Sequence, residues 1–200
     1  MIPSTALLVI DALNNRDQKL NMQKVMENIA VAEKRDEIQK EPNSLLVCFV
    51  CTGNTCRSPM AAALLNHMAR LPEICSACDV NATSIKAVSR GLYATGEPIA
   101  DLAVQALEEA DIPSLPDNPY LEHVSKTIDD EVVEKCDLII GLSDSHVLSL
   151  LSLYPAHARK ITGMPHSISD PFGGDLDVYR ECLAEIKKGI EIFFFSEETP

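Results

Sequence analysis

Cys51 and Arg57 stand six residues apart in the run LLVCFVCTGNTCRSPM, which extends from Leu45 to Met60. A thiolate and a planar guanidinium at that separation can attack and grip one tetrahedral oxyanion. Arg57 can hold two phosphate oxygens in its fork, which a lysine could not match. Main-chain N–H groups of a tight loop, and those that open a helix, can converge on the same anion. Thr52, Gly53, Asn54, Thr55, Cys56 and Ser58 would then form the phosphate cradle, with Gly53 expected to give the turn its conformational freedom. A thiol at Cys51 beside this positive field is expected to favour the thiolate, the nucleophilic form. The bare spacing is a weak signal. A strand-to-helix turn carrying an ordinary buried cysteine is the plain alternative.

What raises the chemical reading is the setting. LLVCFV is a continuous apolar run of strand length, as a parallel strand buried on both faces requires. SPMAAALLNHMAR follows as a helix, with Ser58 as the N-cap candidate and Pro59 just inside. Ligands of open α/β sheets sit where strand ends lead into helices, and CTGNTCRS occupies that place. A second strand is expected within NATSIKAVSRG and a helix in PIADLAVQALEEADI. HVSKTIDDEVVEKC gives a turn and a short helix, its acidic residues 129–134 a helix start and solvated face. DLIIGL is another buried strand, SDSHVLSLLSLYP a helix ended by Pro155, ARKITG a last short strand and DLDVYRECLAEIKKGIEIFFF a closing helix. Strands alternating with helices imply right-handed crossovers and an α/β fold with a parallel sheet.

Residues 1–44 differ. They are rich in charge and helix formers, and Leu20, Val25, Ile29 and Ala32 fall on one modestly amphipathic face before Pro42-Asn43-Ser44 breaks the pattern. They are read as an N-terminal extension without chemistry of its own, and residues 45–200 as the catalytic domain.

The totals narrow the class. A net charge of −13 argues against nucleic acid, yet permits a single phosphate in a local positive pocket. Mean hydropathy is +0.03, no apolar run approaches membrane-spanning length, and the first one, ALLVI, lacks a preceding basic residue. No membrane partner and no leader are expected. Seven unevenly spaced cysteines fit reduced thiols in the cytoplasm better than a disulfide framework. Cys75-Ser-Ala-Cys78 has redox-motif spacing but is read as loop cysteines.

The runs VCTGNTCRSPMA, SRGLYATGEP, HVSKTI, CDLIIGLS and DPFGGDLDVYRECLAEI, in that order, resemble the low-molecular-weight protein tyrosine phosphatases over about 150 of the 200 residues. The resemblance implies a four-stranded parallel sheet flanked by helices, a cysteinyl-phosphate intermediate on Cys51, no metal or cofactor, and phosphorylated proteins as substrates. It implies that Asp170 is the general acid, where the residues alone show one carboxylate among many in a turn-forming Asp-Pro pair. Near a thiolate and a phosphate dianion such a carboxyl is expected to keep its proton. Ser58 is expected to donate to the thiolate, Asn54 to brace the loop, and Phe172 to line the pocket wall. His123 matches a loop-supporting position, and a structural histidine explains it equally well. Thr55 at mid-loop, where tyrosine-specific members carry an aliphatic residue, resembles the protein arginine phosphatase branch and favours phosphoarginine. Cys56 is a candidate redox partner for Cys51. A phosphotyrosine enzyme remains the alternative. An arsenate reductase would need a cysteine where SDSH stands, and a non-catalytic phosphate-binding module would not need both Cys51 and Asp170. A monomer or weak oligomer is expected.

Overall fold

The structure, a computed structural model, describes residues 44–71 and 84–195. The N-terminal segment up to residue 43 and the Cys75–Cys78 pair lie outside the described residues.

The apolar run forms β1 (Ser44–Cys51), buried along nearly its whole length. Strands β2 (Ser84–Gly91), β3 (Leu138–Gly141) and β4 (Ile161–Gly163) complete one sheet in the order β2-β1-β3-β4. Every pairing is parallel. The register sets Cys51 beside Gly91 on one side and Val50 beside Gly141 on the other. The strand that carries the thiol is therefore central, and its carboxyl end is flanked by two glycines.

The helices are α1 (Arg57–Met68), α2 (Asp101–Glu109), α3 (Asp130–Lys135), α4 (Asp144–Leu153) and α5 (Leu176–Ile190). From β1 the chain moves one way across the sheet to β2, and from β3 the other way to β4. Right-handed crossovers in opposite directions put α1 and α4 on opposite faces. Val47, Phe49 and Cys51 alternate into a core shared with Met60, Leu64 and Leu65 of α1, Leu107 of α2 and Leu183 and Ile186 of α5. Helix α4 packs against β3 and β4 with Leu150 fully buried. Asp129 caps α3 and Asp175 caps α5, each carboxylate accepting a main-chain N–H.

The elements expected from residue 45 onward are present among the described residues. The helix after β1 differs in one respect: it begins at Arg57 with Cys56 before it, and among the described residues no side chain caps it. Ser58 is not the N-cap, because its hydroxyl is committed to the thiol-bearing loop. Uncapped first-turn N–H groups remain available to an anion.

Candidate active site

Residues 51–57 run from the end of β1 into α1. Gly53 was expected to supply the loop's unusual backbone, but the left-handed residue is its neighbour: Asn54 has φ 59°. Asparagine tolerates that region when its side chain is held locally. Here the hold is extensive. Fully buried, Asn54 donates from Nδ2 to Ser58 Oγ and Ser89 Oγ, both at 2.9 Å, and its Oδ1 accepts from the Lys126 N–H at 2.9 Å. Its carbonyl takes His123 Nε2–H at 2.8 Å. Because a carbonyl only accepts, the His123 proton sits on Nε2. Burial lowers this imidazole's proton affinity, with the Asn54 carbonyl opposing. His123 thus bonds to the loop's main chain, and the Asn54 side chain ties the loop to Ser58, Ser89 and Lys126.

β2 adds main-chain ties. Leu92 N–H donates to Cys51 O and Tyr93 N–H to Thr52 O, each at 2.9 Å. Gly91 permits this approach, since a Cβ there would lie 2.8 Å from Thr52 O and 3.0 Å from Asn54 Cβ. Tyr93, whose side chain is exposed, reaches the loop because Gly91 pairs with Cys51, a register the residue types do not show.

Cys51 Sγ lies 3.0 Å from Ser58 Oγ. That hydroxyl accepts from Asn54 and has one hydrogen for two acceptors, the sulfur and the Arg90 carbonyl at 3.2 Å. With a neutral thiol, S–H can donate to Ser58 while Ser58 donates to Arg90. Once the thiol ionises, the hydroxyl hydrogen can turn to the sulfur, a charge-assisted bond roughly twice as strong as a neutral one.

Arg57, only 7% exposed, donates from Nη2 to Asp170 Oδ2 at 2.8 Å and from Nη1 to Ile168 O at 3.4 Å. The pairs Cys51–Ser58 and Arg57–Asp170 are thus joined through the consecutive residues Arg57 and Ser58. The sequence reading had considered only anions around Asp170; its immediate neighbour is the guanidinium. The adjoining Phe172 N–H donates to Asp170 Oδ1 at 3.3 Å, while the Phe172 ring is 80% exposed. Cys56 points elsewhere: its Sγ lies 3.3 Å from Tyr179 Oη in the core and 3.6 Å from Thr55 Oγ1. Burial, then this sulfur, push the Tyr179 phenol's proton affinity up.

The sequence reading also missed His146. It is 3% exposed, with Nε2 3.1 Å from Thr52 Oγ1 and Nδ1 2.8 Å from Ser143 Oγ. Burial and then Arg57 push it down to about 4, with Asp170 opposing. The available signal was its position, a histidine just past the end of a buried strand, where SDSH had been read only for lacking a cysteine.

A family profile described as low molecular weight phosphotyrosine protein phosphatase matches residues 46–198. The chain is 31% identical over 150 residues to the protein-arginine-phosphatase of Bacillus subtilis, covering 71% of this chain and 89% of that one. It is 30% identical over 158 residues to the low molecular weight protein-tyrosine-phosphatase PtpB of Staphylococcus epidermidis, covering 76% and 99%. A structure of YwlE arginine phosphatase, a Cys-to-Ser mutant with a phosphorylated active-site serine, superposes with a TM-score of 0.61 at 28% identity, covering 73% of this chain and 91% of that one. The chain belongs to the low-molecular-weight protein phosphatase family. It is accordingly a cysteine-dependent protein phosphatase acting on phosphorylated proteins. Among the described residues no helix is long and apolar enough to cross a membrane.

Proposed function

We propose that this phosphatase uses Cys51 as nucleophile, Arg57 with the loop N–H groups as the phosphate clamp and Asp170 as general acid, and that it prefers phosphoarginine to phosphotyrosine. The observation that carries the catalytic part is the two contacts Cys51 Sγ–Ser58 Oγ and Arg57–Asp170, which tie the β1–α1 junction to the loop after β4. Substrate phosphate takes the guanidinium from Asp170. The Cys51 thiolate attacks phosphorus, the P–N or P–O bond breaks, and protonated Asp170 gives its hydrogen to the departing nitrogen or oxygen. Asp170 then removes a proton from water, whose oxygen attacks phosphorus. The S–P bond breaks, returning thiolate and inorganic phosphate. Charge on the equatorial oxygens is met by Arg57 and main-chain dipoles throughout.

The phosphoarginine preference rests on Thr55, a compact polar side chain at mid-loop, and on the similarity to an arginine phosphatase. The similarity to a tyrosine phosphatase favours the second reading. Comparing kcat/KM on phosphoarginine and phosphotyrosine peptides decides between them. The wild type should favour phosphoarginine and Thr55→Ile should move the ratio toward phosphotyrosine; a wild-type preference for phosphotyrosine overturns the choice.

Cys56 belongs to the same proposal as a redox partner. Peroxide would oxidise Cys51 to a sulfenic acid, and the Cys56 thiol would displace water to close a disulfide. Cys56 must first leave Tyr179. Inactivation of Cys56→Ala that stayed fully thiol-reversible would sink this role.

A further inference from the structure

We propose that His146 is a positioning residue for the phosphate loop, acting through the side chain of Thr52. The inference rests on the phosphatase reading of the same site. Thr52 follows the nucleophile directly, and its side chain is otherwise exposed. A surface threonine turns freely between rotamers, and its backbone follows only loosely. Here its hydroxyl is tied to a ring held at both nitrogens in the first turn of α4.

The tie completes a bracket around the loop. Asn54, Leu92 and Tyr93 secure it to the β2 side of the sheet. His146, rising from the carboxyl end of β3, secures it from the opposite side of β1. Behind the ring stands Ser143 Oγ, itself 2.9 Å from Ser145 Oγ. Arg57 from α1 and Asp170 from the loop after β4 are the charges that bear on the ring. A neutral imidazole carries one N–H. With an anion in the loop, the favourable alignment points every hydrogen of the chain toward it. Ser143 then donates to Nδ1 and Nε2–H donates to Thr52 Oγ1, which leaves the threonine's own hydrogen unclaimed by the ring. An imidazolium could not accept from Ser143 and would place a second cation beside Arg57, so burial in this wall suits the role.

The test is a mutant cycle on para-nitrophenyl phosphate, with vanadate inhibition as a second readout and thermal melts as the folding check. His146→Ala and Thr52→Val should each lower kcat/KM roughly tenfold and weaken vanadate, since small misplacements of a catalytic loop cost at least that much. The double variant should be no worse than the poorer single, because both remove one link. His146→Gln, whose amide nitrogen can reach the position of Nε2, should regain most of the loss. Should His146→Ala not fold, the cycle runs with His146→Leu, and Thr52→Val with His146→Gln supply the coupling. Losses that multiply to about a hundredfold in the double variant, wild-type kcat/KM in the His146 variant, or a glutamine no better than alanine would each overturn the proposal. Wild type without turnover would indict the phosphatase reading instead, since every criterion here is a ratio to active wild type.

Discussion

Replacing Asp170 with asparagine should separate binding from turnover. The carboxylate holds Arg57 Nη2 at 2.8 Å, so in the proposed mechanism it competes with substrate phosphate for the guanidinium. Asp170→Asn should lower kcat on a phosphotyrosine peptide by about a hundredfold, the loss of a general acid. Vanadate should nevertheless bind more tightly, because the guanidinium sheds a charged competitor. Weaker vanadate binding in this variant would contradict the contact. Asn54 is the second test at this scale. Asn54→Ala removes three side-chain hydrogen bonds and leaves alanine in a left-handed backbone. It should cost about 3 kcal/mol of stability by urea melting. Neither point was legible from residue types. That Asn54 and not Gly53 takes positive φ depends on Ser89 and Lys126, distant in sequence and brought near by β2.

At the scale of elements, β1 announces itself because a strand buried on both faces must be apolar throughout, and LLVCFV is. The strand-to-helix junction is equally plain from Pro59 and the apolar helix that follows. Of the two readings of Ser58, the N-cap fails and the contact with the thiol stands, because a serine near a helix start looks the same whether it caps the helix or faces a sulfur. His146 escaped because its partner Thr52 lies on another strand end, and only the sheet order β2-β1-β3-β4 joins them. Gly91 gives the prediction proper to this level. Gly91→Ala would set a Cβ against Thr52 O, so the strand or the loop must shift. We expect kcat/KM to fall at least about tenfold with the circular dichroism spectrum unchanged. Wild-type activity in Gly91→Ala would mean that the loop yields without consequence.

Across the whole molecule, His146 links the site to pH. Its folded value, about 4, lies below the ordinary 6.5 of an unfolded histidine. The unfolded chain therefore takes up this proton first as pH falls. Stability contributed by the neutral ring is complete above about 6.5 and is lost progressively toward 4. Thermal melts between pH 7 and 4 should show a steeper decline for wild type than for His146→Gln, in which this group no longer titrates. Equal slopes would place the ring in contact with solvent.

Strand β4 holds only three residues at the sheet's edge, and the segment carrying Asp170, the proposed acid, hangs from it, tied to Leu142 by the Ile168 N–H and to α5 through Ser169 and Glu185. Cooperative units of a protein open in order of their own stability, and a short margin with few rungs ranks among the first. Dilute urea should therefore silence leaving-group protonation while the central strand still presents a thiol that reacts with iodoacetate, so that inactivation runs ahead of melting.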